Sequence, residues 1–205
     1  MIVVIDYGLG NLGSILNMLK RIQAEAIISQ NPDQILRADK LILPGVGSFD
    51  NGMKNISELG LRDVLDLKVL KEKTPILGIC LGLQLFTEAS EEGGLPGLAW
   101  LKARTIRFRV ENSPNHLRVP HMGWNSVKKI KDSAMLAAFD ADWRFYFVHS
   151  YHVVVDDESD ALLKTHYGYD FVSAVQRDNI VGVQFHPEKS HKFGMQLLKN
   201  FVQSV

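Results

Sequence analysis

Hydrophobic and polar positions fall into two regimes along this chain. In the first half, short unbroken apolar runs alternate with stretches whose apolar residues recur every three or four positions. "IVVID" (2–6) precedes "NLGSILNMLKRI", where Leu12, Ile15, Leu16 and Leu19 mark one face of a helix. "AIIS" (26–29), "KLILPG" (40–45), a helical stretch from Gly52 to about Lys71, "PILGI" (75–79) and the helix-like "LGLQLFTEASEE" continue the alternation. Strands without in-and-out patterning, separated by helices, predict a parallel sheet covered on both faces. The second half changes character. "ARTIRFRV", "VPHMGWNSVKKI", "RFYFVHSYHVVV", "ALLKTHYG", "FVSAVQRD" and "IVGVQFHPE" read as successive strands joined by turns, which predicts antiparallel pairing. "FGMQLLKNFVQ" closes with a helix. With no repeat, low-complexity tract or long linker, the expectation is one α/β domain over 1–205 with an antiparallel extension.

Composition narrows the class of partner. The 205 residues can bury a substantial core, and 46% hydrophobic with 22% charged residues is ordinary for a soluble globular protein. Lys plus Arg equals Asp plus Glu at 23 each, which argues against nucleic acid or an acidic membrane surface as partner. One cysteine cannot form an internal disulfide, so a reducing cytoplasm is expected. "MIVVIDYG" lacks a basic leader and reads as a first strand, and no apolar run reaches the roughly 18 residues of a membrane-spanning helix.

Three loops could carry chemistry. "DYGLGNLG" matches G-x-G-x-x-G at Gly8, Gly10 and Gly13, after a strand and before a helix. A dinucleotide site also needs an acid at the end of the next strand, where this chain has Ser29, Gln30 and Asn31. A tight strand-to-helix turn is therefore the favoured reading. "LPGVGSF" (43–49) ends another strand with freely orientable amides, either a plain turn or a donor loop beside an anionic intermediate.

The third loop, Gly78-Ile79-Cys80-Leu81-Gly82, is the cysteine form of a nucleophile elbow. Small flanking residues let the chain take a strained bend, and the start of the following helix favours thiolate over thiol. A lone cysteine is by default a small buried hydrophobe; the elbow reverses that expectation. A thiol nucleophile needs a base, and the base an orienting group. "GVQFHPEKS" offers His186 and Glu188 around Pro187, which favours extended geometry at the histidine. The remaining histidines (His116, His121, His149, His152, His166 and His191) show no cysteine or carboxylate spacing that reads as a metal site. His149 and His152, three apart on a strand, are expected to face opposite ways.

With Cys80 in an elbow and His186-Pro187-Glu188 near the end, the chain resembles the class I glutamine amidotransferases. "DYGLGN", "LPGVGSF", "GICLGLQL", "VPHMGWN", "FYFVHSYH" and "VQFHPEKS" carry the resemblance in order from first strand to last helix. It implies a flavodoxin-like, doubly wound, mostly parallel sheet and a triad of Cys80, His186 and Glu188. It further implies an oxyanion hole from the amides of Val46 and Leu81, the former after a peptide flip that Gly45 and Gly47 permit. Gln84, Ser150 and Tyr151 match positions that hold the amino-acid end of L-glutamine. Asn11, Pro120, Met122, Trp124 and Lys189 match a face toward a (β/α)8-barrel synthase subunit, which receives the ammonia in a heterodimer. No cofactor and no metal are implied. One branch of the family serves histidine biosynthesis and a paralogous branch amidates a surface-polysaccharide sugar; all six strings occur in both. From the residues alone, a cysteine peptidase or esterase and a dinucleotide-binding module stay open.

Overall fold

The computed structural model describes residues 1–110, 117–140 and 142–204, so His116 lies outside the described residues. Four short strands open the fold: β1 (Ile2–Ile5), β2 (Ala26–Ser29), β3 (Lys40–Leu43) and β4 (Ile76–Ile79). They lie parallel in the order β2-β1-β3-β4. Ile2 and Val4 of β1 enter one core, Val3 and Ile5 the other. Both sheet faces are buried, which is why these runs show no polar alternation.

Helices cover the two faces. Against one face pack α1 (Leu12–Arg21) and α6 (His191–Ser204), through Ile15, Leu19, Leu197, Leu198 and Phe201. The other face takes α2 (Pro32–Leu36), α3 (Phe49–Glu58), α4 (Arg62–Asp66) and α5 (Leu81–Leu85). The helical stretch expected from Gly52 to Lys71 is therefore broken. Gly60 takes φ +64°, and Leu61 N–H closes back on the Ile56 carbonyl at 3.0 Å, a glycine-terminated helix end. The expected long helix after Cys80 also shortens to α5, because Ala89–Ser90 leave as a strand, β5.

The second half supplies β6 (Ala103–Arg107), β7 (His121–Ser126), β8 (Lys128–Lys129), β9 (Arg144–His149), β10 (Tyr151–Val155), β11 (Ala161–Tyr167), β12 (Tyr169–Arg177) and β13 (Ile180–Val183). Antiparallel pairing joins β10 to β6 and β12, and β12 to β11 and β13. The last strand then returns to the first half: β13 lies parallel to β4, with Val183 opposite Ile79. β7 and β9 form a separate antiparallel pair. Among the described residues, no helix is long and apolar enough to cross a membrane.

One expectation fails here. The strand holding His149 ends at that residue, and Ser150 turns the chain from the β7–β9 pair into the main sheet. His149 and His152 consequently pack on the same ring, Phe108, at centroid distances of 5.1 and 4.7 Å. His121 joins them, its Nδ1 3.0 Å from His149 Nε2. His149 Nδ1 faces the Tyr151 carbonyl at 2.7 Å. A carbonyl only accepts, so His149 carries its proton on Nδ1 and receives one from His121. Burial pushes His121 and His152 down to about 4 and His149 well below its ordinary value.

These rings stay neutral in the folded protein but take up protons in the unfolded chain below about pH 6.5. Folding stability is therefore present above that pH and is lost as pH falls toward 4. Each ring removes about 1.4 kcal/mol per pH unit. Urea unfolding should show a midpoint that drops steeply between pH 6.5 and pH 5. A midpoint that stays level across that window would contradict neutral buried rings.

Candidate active site

Cys80 follows β4 directly and occupies φ +53°, ψ −107°, a conformation a non-glycine residue adopts only when its surroundings impose it. The neighbouring glycines explain how. A Cβ at Gly78 would stand 2.6 Å from the Phe86 ring, and one at Gly82 would collide with the Leu43 carbonyl oxygen. Cys80 N–H donates to the Val183 carbonyl at 2.8 Å, which ties the elbow to the neighbouring strand. That bond also aligns the ends of β4 and β13, so the segment after Val183 runs past the thiol.

His186 lies on that segment, buried, with its main-chain N–H on the Tyr146 carbonyl at 2.9 Å and its carbonyl accepting from Ser190 Oγ at 2.6 Å. Its Nδ1 meets Glu188 Oε1 at 2.7 Å, and the residue lines one pocket with Cys80. Burial opposes charging of the ring. The neighbouring Cys80 and Glu188 side chains outweigh it and raise His186 to about 10. The ring thus holds a proton at neutral pH. Glu188 Oε2 is buried without a hydrogen-bond partner among the described residues, which leaves the imidazole as the group its charge acts on.

A pocket of about 280 Å³ opens on this pair. Val46, Gly47, Leu81, Gln84, Ser150, Tyr151, Pro120 and Lys189 line it together with Cys80 and His186. Gly45 sits behind the wall, where a Cβ would meet Leu81 and the Tyr7 hydroxyl, each at 2.6 Å. Tyr7 Oη donates to the Pro44 carbonyl at 2.6 Å, anchoring the loop at its base. Burial, then the nearby Cys80, raises the Tyr7 phenol, so it remains a donor.

Of the expected site residues, Cys80, His186, Val46, Gly47, Leu81, Gln84, Ser150 and Tyr151 line this one pocket, and Glu188 joins it through His186. Of the residues expected to face outward, Pro120 and Lys189 line this pocket too, while Asn11, Met122 and Trp124 lie outside its lining. Met122 is 61% exposed and Trp124 45%, on the same face of β7, while His121 at the start of that strand turns inward. Trp124 stacks on His191 with centroids 5.6 Å apart. Asn11 caps α1 by accepting from Ser14 N–H at 3.4 Å, and Gly8 and Gly10 take φ +83° and +111°. A Cβ at Gly10 would press on Pro44 at 3.1 Å, so this glycine serves packing against the 44–47 loop, whereas one at Gly8 would meet the Asn55 side chain at 3.2 Å.

Two residues of the site carry no signal that the sequence reading used. Glu92 puts a carboxylate in the pocket and accepts from Phe49 N–H at 2.8 Å. Burial first, and Asp50 nearby, raise its carboxyl against the opposing bond from Phe49. Gln184, fully buried, donates from Nε2 to Cys80 Sγ at 3.6 Å. Glu92 stands in a stretch with no motif; Gln184 stands two residues before the histidine, where period-two spacing along an extended segment could have found it.

This geometry suits one class of chemistry: acyl transfer through a thiol, on a mostly parallel α/β sheet. The glutamine amidotransferase class-I model matches residues 3–205, and the chain belongs to that family. It is 54% identical over 205 residues to "Imidazole glycerol phosphate synthase subunit HisH 2" of Methanococcus maripaludis, with both chains fully covered. The protein of the same name from Pseudomonas aeruginosa is 52% identical, again with full coverage of both chains. A subunit HisH of Bdellovibrio bacteriovorus is 44% identical over 98% of each chain. A solved glutamine amidotransferase shares the fold, with TM-score 0.73, 19% identity and coverage of 98% of this chain and 97% of that one.

Gly82→Ala should displace the elbow, because the new methyl meets the carbonyl of a residue held in β3. The expected cost is about 3 kcal/mol or more in chemical unfolding. Gly13→Ala, whose added methyl would have no atom within 4 Å, is the contrast. It should stabilise helix α1 by up to about 1 kcal/mol.

Proposed function

We propose that this chain is the glutaminase subunit of imidazole glycerol phosphate synthase in histidine biosynthesis. Residues 1–205 act as one amidotransferase domain that hydrolyses L-glutamine to glutamate and ammonia. The observation that carries this reading is the meeting of Cys80, His186 and Glu188 at a pocket sized for one free amino acid.

The Cys80 thiolate attacks the side-chain amide carbon of glutamine, and the amides of Leu81 and Val46 receive the oxyanion. His186 passes its proton to the amide nitrogen as the carbon–nitrogen bond breaks and ammonia leaves. Water, deprotonated by His186, then cleaves the γ-glutamyl thioester to give glutamate and the free thiol. Glu188 orients the ring and supports its positive charge. Gln84, Ser150 and Tyr151 hold the amino-acid end, and the Glu92 carboxylate suits its ammonium group.

Ammonia that escapes to water is protonated and ceases to be a nucleophile, so it must be delivered directly. The exposed Met122 and Trp124, with Asn11, Pro120 and Lys189, form the face for a (β/α)8-barrel synthase subunit in a heterodimer. We place the pair in the cytoplasm, consistent with a lone free thiol. A second reading keeps the glutaminase chemistry but delivers ammonia for amidation of a surface-polysaccharide sugar. The six strings that carry the resemblance occur in both branches, so the acceptor is set by the subunit that receives the ammonia.

Cys80→Ala should abolish glutamate release while the assembled enzyme still uses ammonium salts. Glutamate release at the parent rate would refute the assignment. Stimulation of the parent glutaminase by a histidine-pathway barrel subunit and its nucleotide substrate separates the two acceptors. Glu92→Gln should raise KM for glutamine about tenfold or more with a smaller change in kcat, measured by steady-state glutamate release.

A further inference from the structure

We propose that Gln184 is a positioning residue for the Cys80 sulfur, holding it by an amide N–H whose direction the Tyr151 carbonyl sets through Gln84. The proposal rests on the reading of Cys80 as nucleophile.

Gln184 and His186 are two apart on an extended segment and so share a face. Gln184 Nε2 reaches the Cys80 sulfur at 3.6 Å, and His186 lines the pocket with that cysteine. Phe185 between them turns away and stacks on Phe145 at 3.8 Å. Gln184 is held from behind, its main-chain N–H on the Ser173 carbonyl at 2.9 Å.

The orientation of its amide is imposed. Gln84 Nε2 donates to the Tyr151 carbonyl at 3.1 Å and to Gln184 Oε1 at 3.1 Å. The Tyr151 carbonyl can only accept, and it also receives His149 Nδ1. Gln84 must therefore present its NH2 group there, and Gln184 must meet that group with its oxygen. Inverting Gln184 would set two NH2 groups face to face and place a carbonyl oxygen against the sulfur. The main-chain carbonyl thus determines, two side chains away, that a donor faces Cys80. A donor on the charged form favours thiolate. The five residues of α5 supply little macrodipole of their own, which leaves discrete donors to hold the charge.

Cys80 is the sole cysteine, so alkylation of the full chain by iodoacetamide reports on it alone. Gln184→Met keeps length and volume but removes the donor. The pH midpoint of alkylation should rise by about one unit, and kcat for glutaminase should fall about tenfold with KM changed less. Gln84→Met never touches the sulfur, yet it frees Gln184 to invert and should shift the midpoint in the same direction. It also serves should the first variant fail to fold. Unchanged midpoints in the folded variants overturn the proposal even if glutaminase activity is lost. A shifted midpoint in a parent protein that hydrolyses no glutamine, alone or with its barrel subunit, would keep the positioning role and sink the proposed function instead.

Discussion

The pairing of the last strand with the fourth is the constraint on which the site depends. β13 belongs by sequence to the antiparallel half, yet it lies parallel to β4 with Gly182 opposite Gly78 and Val183 opposite Ile79. A slip of one residue would turn every side chain beyond it to the other face. Gln184 and His186 would then point into the aromatic core and Phe185 at the sulfur. The bond from Cys80 N–H to the Val183 carbonyl pins that register at the point where the elbow begins. Glycine on both strands at this level has a packing reason, since a Cβ at Gly182 would clash with Leu83 and one at Gly78 with Phe86 and the Leu83 amide. The strained bend is thus stabilised by close packing around it, as a non-glycine residue at positive φ requires.

Around this scaffold the polar groups form two chains with a common end. The Tyr151 carbonyl accepts from Gln84 and from His149. One chain continues through Gln184 to Cys80; the other continues through His121 Nδ1, and His121 Nε2 then meets Asn125 Nδ2 at 3.2 Å. Neutral histidines are needed for the second chain, because each ring both donates and accepts. Desolvation keeps them so. His186 is equally buried but has a carboxylate and a thiol as partners, and its proton affinity moves the opposite way. The same residue type takes opposite roles at His149 and His186, which line one pocket, because of what each faces and not how deeply it lies.

Much of this is legible in the sequence, for identifiable reasons. The parallel half announces itself through uniform apolar runs, and the elbow through the fixed spacing of Gly78, Cys80 and Gly82. His186 and Glu188 stand out because a proline between them constrains the backbone. What escapes is information held in three dimensions. Gly60 as a helix stop is hidden inside an otherwise helical pattern. Ser150 as the switch between two sheets leaves no periodic trace, so strand logic assigns His149 and His152 to opposite faces. Glu92 carries no motif, since its value lies in reaching across to the Phe49 amide. Gln184 is apparent only once one knows that β13 runs beside β4; period-two logic then places it with His186 toward the thiol.

The 44–47 loop joins the interior chemistry to the surface. Val46 is 51% exposed and yet lines the pocket beside Cys80, while the Tyr7 hydroxyl fixes the Pro44 carbonyl one peptide before Gly45. The loop is therefore anchored at its base, and Gly47 at its tip takes φ +138°, a conformation that favours glycine. Pro120, just ahead of the strand that bears Met122 and Trp124, lines the same pocket as Val46, so a subunit seated on that strand would press on the chain that walls the pocket beside the amide proposed as an oxyanion donor. Such coupling needs no long pathway. It requires only that one segment belong both to the pocket wall and to the exposed strand, and the chain from Pro120 into β7 does.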